Sequence, residues 1–160
     1  MITIKEVSEG EFNALKFDIM VGEYATYNHY YIILIKDSNG IKLQIGLRSI
    51  FVGINPQVEI CKNFIVIGAG EQFYAYKFDG TLIIKYEIGS VFYSFLVVQK
   101  NILVSSELSI ILFDDKFKQV WRVDFDEIVD LIDVEGDVVK LNDYNGKTIL
   151  LNMKTGASIN

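Results

Sequence analysis

NFIVIGAGEQFYAYKFDGTLIIKYEI, residues 63–88 of this 160-residue chain, contains the clearest fold signal in the sequence. It holds three short runs of β-branched and aromatic residues, separated by turn residues, most clearly at Asp79-Gly80. An Asp-Gly pair between two such runs is a strong short-range signal for a β-hairpin. The stretch therefore predicts an antiparallel meander of short strands.

The same order of strands and turns recurs along the chain. It realigns with residues 101–124 and 136–156, and a weaker earlier copy covers 30–47. We expect hairpin turns at Gly40, Gly80, near Lys116 and at Gly156, which are 40, 36 and 40 residues apart. A period near 40, with about four strands per unit, is typical of β-propeller blades.

These units resemble the quinoprotein-like and WD-like blades of β-propellers, most clearly at residues 78–82 and 120–123. The resemblance covers roughly residues 23–160. The Gly-His and Trp-Asp signatures of WD-type blades are absent from these repeats, and so is any cofactor motif. The resemblance therefore implies a fold and does not imply quinone chemistry.

We expect a single all-β domain over residues 1–160, with N-terminal strands in 1–22 and about four blade-like repeats in 23–160. The last repeat lacks a fourth strand, which favours an open half-propeller or a sandwich-like stack of sheets. The alternative is a closed four-bladed propeller, in which an N-terminal strand at 3–7 or 14–20 completes the last blade. A plain β-meander with chance repetition also remains open. Further strands are expected at 24–28 and 50–52, and the best helical spacing, at 11–20, fits a strand as well.

Composition excludes several classes of protein. Apolar residues make up 51% of the chain, which is too many for a disordered protein. One cysteine cannot form an internal disulfide, and one histidine cannot build a multi-histidine metal site. A net charge of -6 argues against direct nucleic-acid binding, which needs a basic face. The N-terminus has no signal-peptide pattern and no apolar run is long enough to span a membrane, so we expect a cytoplasmic protein without membrane contact.

No residue pattern in the sequence indicates catalysis, a cofactor or a metal. His29 fits a structural position because no Gly-x-Ser-x-Gly motif accompanies it. Cys61 fits a buried core position, since only Lys62 is adjacent to it as a partner for a nucleophile. Residues 68–70 have the glycines of a phosphate loop, but no helix pattern follows, so we interpret them as a hairpin turn. We therefore expect a protein that is not an enzyme and binds no cofactor.

The strongest functional signal is a run of acidic residues. The segment 123–139 has seven acidic and no basic residues, whereas the rest of the chain has 14 acidic and 15 basic ones. Three interpretations stay open: the solvated face of a strand, a calcium site, or a patch that attracts a basic protein. The spacing matches neither an EF-hand nor a glycine-rich calcium repeat. The candidate partner-binding carboxylates are Asp124, Asp126, Glu127, Asp130, Asp133, Glu135 and Asp137.

Aromatic residues are the second functional signal. The chain has nine tyrosines and eleven phenylalanines, and four of the tyrosines cluster in the stretch 24–31, namely Tyr24, Tyr27, Tyr30 and Tyr31. Tyrosine is a favoured contact residue in protein interfaces. We add Tyr27 and Tyr30 to the candidate partner-binding residues, although an aromatic-rich core would explain them equally well.

Three functions are compatible with these features. The first is a non-catalytic protein-binding module. In size, charge and composition the chain looks like bacterial immunity proteins, which implies neutralisation of a basic toxin, such as a nuclease, through an acidic, aromatic surface. The second is a subunit or self-assembling fragment of a propeller-type complex, and the third is a hydrolase that uses paired carboxylates.

Overall fold

The expected hairpins form in a computed structural model, which describes residues 1–22, 29–36, 42–51 and 53–159. Short β-branched and aromatic runs become strands because these residues pack well on a pleated sheet. The described part holds one helix, α1 (Glu9–Asn13), and fifteen strands: β1 (Ile2–Val7), β2 (Ile19–Val21), β3 (His29–Lys36), β4 (Lys42–Ser49), β5 (Gln57–Cys61), β6 (Phe64–Ala69), β7 (Gln72–Lys77), β8 (Leu82–Glu87), β9 (Phe92–Val98), β10 (Asn101–Ser106), β11 (Ser109–Phe113), β12 (Gln119–Asp124), β13 (Val129–Glu135), β14 (Val138–Asp143) and β15 (Thr148–Asn152).

The strands form four separate sheets. The first sheet has the order β1-β3-β4-β2, and the second runs β5-β6-β7-β8. The third runs β9-β10-β11-β12, and the fourth has the three strands β13-β14-β15. The second, third and fourth sheets are antiparallel meanders of consecutive strands, as the repeat predicts.

Turn chemistry repeats at the same place in the later sheets. The Oδ1 atoms of Asp79, Asp114 and Asn152 each accept a hydrogen bond of 2.9 Å from the backbone N–H two residues further on. Such Asx turns shape the hairpin after the third strand of each sheet. The turns expected at Gly80, near Lys116 and at Gly156 are confirmed, and the one at Gly40 lies outside the described residues.

The sheets stack in sequence order through three hydrophobic cores. One core joins the first and second sheets, another the second and third, and the last the third and fourth. In the part of the chain that the structure describes, no core cluster joins the first sheet to the fourth. The open form is therefore the one observed, and the ring does not close because β1 pairs with β3 in the first sheet.

The N-terminal region differs from the expectation for residues 14–20, which form a strand only from Ile19 onward. Before it lies α1, which begins at Ser8 with a capping box and buries Phe12. Ser8 and Glu11 satisfy each other's backbone N–H groups, a local signal that outweighs strand propensity here. The strand β2 then pairs parallel to β4 at the outer edge of the first sheet.

Two further strand predictions have different outcomes. Residues 24–28 lie outside the described residues, as does Val52. Ile50 and Phe51 belong to no strand, so the strand expected at 50–52 is wrong for its first two residues. No helix in the described ranges has the length and apolar character that a membrane-spanning helix requires.

Candidate functional site

All seven candidate carboxylates are exposed, and they lie on the fourth sheet or on the loop that leads to it. Asp124 ends β12, and the loop to β13 carries Asp126 and Glu127. Asp130, Asp133 and Glu135 lie on β13, and Asp137 lies in the turn to β14. We call these seven residues the acidic segment. The fold therefore keeps the charge of the acidic segment together at one end of the stack of sheets.

Apolar residues between the carboxylates fix the orientation of β13. Val129 is almost completely buried, and Leu131 and Val134 pack against the core between the third and fourth sheets. A register shift between Leu131 and Asp133 interrupts the simple alternation of the strand. Because the apolar side chains anchor β13, its carboxylates stand on a sheet whose backbone is fixed by pairing with β14.

Only part of the acidic segment is neutralised within the chain. Arg122 Nε donates to Asp124 Oδ1 at 2.7 Å, and Lys154 Nζ donates to Asp137 Oδ2 at 2.5 Å. Among the described residues, no Lys or Arg forms an ion pair with the other five carboxylates, which are those of Asp126, Glu127, Asp130, Asp133 and Glu135. Among the described residues these five carboxylates face solvent without an ion pair, and Lys140 lies across from Asp133 in the pairing of β13 with β14.

The two tyrosines of the candidate site have different outcomes. Tyr27 lies outside the described residues. Tyr30 is only 9% exposed, and its ring lies 5.1 Å from that of Phe12 under α1. Tyr30 therefore belongs to the packing of the first sheet, at the opposite end of the stack, because α1 covers that face. It has no exposed ring to offer a partner beside the acidic segment.

An exposed aromatic does accompany the acidic segment, and the sequence reasoning missed it. Tyr144 is 80% exposed and lies in the turn between β14 and β15. Its backbone N–H donates to the carbonyl of Ile128 at 3.0 Å, and the neighbouring Asn145 donates to Glu127 Oε2 at 2.7 Å. The available signal was its place in the turn sequence Asp143-Tyr144-Asn145-Gly146, where a large ring has no core to enter.

The remaining candidate groups have structural surroundings. His29 Nδ1 lies 2.5 Å from Glu6 Oε1, in the pairing of β1 with β3. Burial raises the pKa of the Cys61 thiol to about 11, and the Glu59 carboxylate adds to this rise. A thiol with such a pKa is a poor nucleophile at neutral pH. Gly68 and Ala69 end β6 and Gly70 begins the turn to β7, so the predicted hairpin turn forms at the end of this segment.

The described residues also bear on the calcium alternative. Among them, no three His, Cys, Asp or Glu side chains come together as a metal site would require. The carboxylates of the acidic segment are instead spread along β13 and its two flanking turns, so they do not converge on one point.

Comparisons with known proteins identify the fold. The chain matches no protein-family model and no curated protein sequence. The computationally designed protein Ika4 has a TM-score of 0.57 at 10% identity, over 70% of this chain and 74% of Ika4. BamB from Moraxella catarrhalis has a TM-score of 0.55 at 13% identity, over 88% of this chain and 49% of BamB. The WD40 domain of Neurospora crassa Pan2 has a TM-score of 0.52 at 8% identity, over 65% of this chain and 36% of that chain.

These likenesses establish propeller-like blades and nothing about activity, because the identities are low. The chain spans about half of BamB and about a third of the Pan2 chain. It therefore corresponds to a fraction of those natural propeller proteins.

Proposed function

We propose that this chain is a non-catalytic protein-binding module and that the acidic segment receives a basic partner protein. The observation that carries the proposal is the set of five exposed carboxylates on and beside β13 that form no ion pair with a described Lys or Arg. Tyr144 adds an exposed ring to the same end of the molecule. Aromatic contacts inside a charged rim are a common composition for protein interfaces.

The physical role of these carboxylates is mainly to attract and orient the partner. Each exposed ion pair adds about 1 kcal/mol or less, but clustered charge raises the association rate and disfavours acidic competitors. Added salt screens exposed charges, with a Debye length of about 10 Å at 0.1 M. Binding through this surface should therefore weaken as salt is added.

The finer form of the proposal is an immunity-type role in the cytoplasm, in which the basic partner is a toxin domain. Its support is the small size of the chain and the concentration of its negative charge in one surface segment. A basic enzyme that binds phosphates has a face to which such a carboxylate surface is complementary.

The test is affinity capture from a lysate of the source cell, read by mass spectrometry at low and high salt. The baits are the native chain, D126N/D130N/D133N, and the control E9Q/E59Q/E71Q, which removes the same charge from other sites. We expect one basic protein, retained by the native chain and the control at low salt and lost from the first variant. Equal retention by all three baits would refute the proposal.

A second candidate is a subunit of a larger propeller-type assembly, favoured by the open stack of sheets. The strands β5 and β9 lie at the edges of the second and third sheets, where backbone groups stay unpaired. Three apolar side chains of these two strands are 37–42% exposed, namely Ile60, Leu96 and Val97. Sedimentation over a wide concentration range discriminates this candidate. A defined oligomer that persists in high salt supports it, and a monomer at every concentration contradicts self-assembly.

The hydrolase alternative remains a prediction, to be checked by an activity screen with Asp-to-Asn variants.

A further inference from the structure

A polar cleft lies beside the acidic segment, between the third and fourth sheets. It is wide open to solvent and its volume is about 400 Å³. Residues of β9, β10 and β13 line it, together with the chain before β5. The lining residues are Tyr93, Ser94, Ser105, Asp130, Leu131 and the segment 53–55.

Ser105 is the unusual residue of this cleft. It is only 1% exposed, and its hydroxyl has no hydrogen-bond partner in the described part of the chain. The neighbouring buried serines contrast with it. The hydroxyl of Ser106 forms hydrogen bonds with those of Ser90, at 2.8 Å, and Ser109, at 2.7 Å. A buried hydroxyl without a hydrogen-bond partner destabilises the fold. A ligand in the cleft could supply the missing partner.

The charge of the cleft indicates the kind of ligand. Asp130 is the only ionised group among the described lining residues. Burial raises the pKa of the Tyr93 phenol, and the negative charges of Glu107 and Asp130 raise it further. The phenol therefore stays neutral at pH 7, and the cleft carries the negative charge of Asp130. This charge favours a cation and repels an anion.

We propose that this cleft accepts one cationic side chain, lysine or arginine, of the partner protein. Asp130 would bind the charged group at the mouth, and the Ser105 hydroxyl would accept a hydrogen bond from it further inside. Leu131 and Ile54 supply apolar surface for the methylene chain. The inference rests on the proposed function, since it names the partner group that the acidic surface receives.

The test is an NMR titration of the isotope-labelled chain with three end-capped tripeptides: Gly-Lys-Gly, Gly-Arg-Gly and the neutral Gly-Gln-Gly. We expect the two cationic peptides to shift the amide signals of Ser94, Ser105 and Asp130, and the neutral one to leave them unchanged. The stronger of the two cationic peptides identifies the side chain.

Three variants locate the binding group. Ser105→Ala removes a hydroxyl that has no partner among the described residues, so the variant should fold normally. We expect D130N to lower the affinity for the cationic peptide about fivefold or more, and S105A to lower it about threefold. Asp133→Asn, on the same strand outside the cleft, should change this affinity less than about twofold. Equal losses for D130N and D133N, or no loss for S105A, would overturn the cleft assignment.

The same variants separate this inference from the proposed function. A captured partner that D126N/D133N loses, while S105A and D130N both retain it, supports the acidic surface and overturns the cleft. Cationic peptides that bind the cleft while no partner is captured support the cleft as a cation site and count against the proposed function.

Discussion

The indole ring of Trp121 lies directly on Gly156, so that a β-carbon added to Gly156 would come within 2.9 Å of the ring. Trp121 Nε1 also donates to the carbonyl of Met153 at 2.9 Å. The outer strand of the third sheet is thereby fixed to the last hairpin of the fourth sheet. This contact holds the sheet that carries the acidic segment against the rest of the stack.

Gly156→Ala should destabilise the protein by about 2–3 kcal/mol, because Gly156 combines a φ of +70° with the contact to Trp121. Gly146→Ala is the matched control. Gly146 has a φ of +80°, but its added β-carbon would meet nothing within 4 Å. We expect the control substitution to lower the free energy of unfolding, measured by urea denaturation, by about 1–2 kcal/mol. Equal costs for the two variants would contradict the packing role of Trp121.

Gln57 joins the second and third sheets through both ends of its side-chain amide. Its Nε2 donates to the Phe95 carbonyl at 3.0 Å, and its Oε1 accepts from the Phe95 N–H at 2.8 Å. Gln57→Leu leaves both backbone groups unpaired and should cost about 2 kcal/mol. Gln119→Leu, at an exposed position with one hydrogen bond to Tyr86, should cost about 1 kcal/mol or less. Thermal unfolding of the two variants measures the difference.

Phe12 should be the main residue that stabilises the packing of α1 on the first sheet. It is 1% exposed, between the rings of Phe17 and Tyr30. Phe12→Ala should destabilise the protein by about 3–5 kcal/mol through loss of buried surface and creation of a cavity. Leu15→Ala, at a 42% exposed position just after α1, is the control and should cost less than about 1 kcal/mol. A small effect of the Phe12 substitution in urea denaturation would contradict the cap.

Cys61 should react slowly in the native protein. With its pKa at about 11 instead of the ordinary 9.0, the thiolate fraction at pH 8 is lower by about a hundredfold. Iodoacetamide alkylation should therefore be slow in buffer and fast in denaturant. Rates that are equal in both conditions would contradict the burial of the thiol.

The raised pKa of the Cys61 thiol also predicts a change in the free energy of unfolding at high pH. Below pH 9.0 the thiol is protonated in both the folded and the unfolded chain, so its contribution is unaffected there. Between pH 9.0 and about 11 the unfolded thiol ionises first, so the free energy of unfolding should fall as pH rises. Cys61→Ala should have a shallower fall in this window. An unchanged slope would assign the effect to other groups.

The sequence predicts the blades because their signals are local. Asp79-Gly80 and the Asn152–Gly156 turn are hairpin signals, and each is stabilised by a hydrogen bond between residues two apart within the turn. The sequence left the open and the closed form as alternatives, and the described residues show the open one, with no core cluster between the first and fourth sheets. Beyond β15, the described residues add a single bridge to the fourth sheet, between Leu151 and Ser158.

The N-terminal region was harder to predict, because two local signals compete. The capping box of Ser8 and Glu11 favours a helix, while the apolar residues that follow favour a strand. The parallel pairing of β2 with β4 depends on contacts distant in sequence, which no short pattern encodes.

The candidate site was predictable in charge but not in shape. The acidic segment stands out in composition, and the apolar residues between its carboxylates, such as Leu131 and Val134, are those that pack on the core. Burial of Tyr30 depends on α1, which the sequence reasoning did not expect. The cleft at Ser105 brings together residues from β9, β10 and β13, and this juxtaposition exists only after folding.

The most direct test of the account is the salt dependence of affinity for the captured partner, measured by calorimetry for the native chain and for D126N/D130N/D133N. We expect the native affinity to fall steeply as sodium chloride rises from low to physiological concentration, and the variant to bind weakly with a shallow salt dependence. The control E9Q/E59Q/E71Q should follow the native chain. The same affinity and the same salt dependence for all three proteins would contradict the claim that the acidic segment is the binding surface.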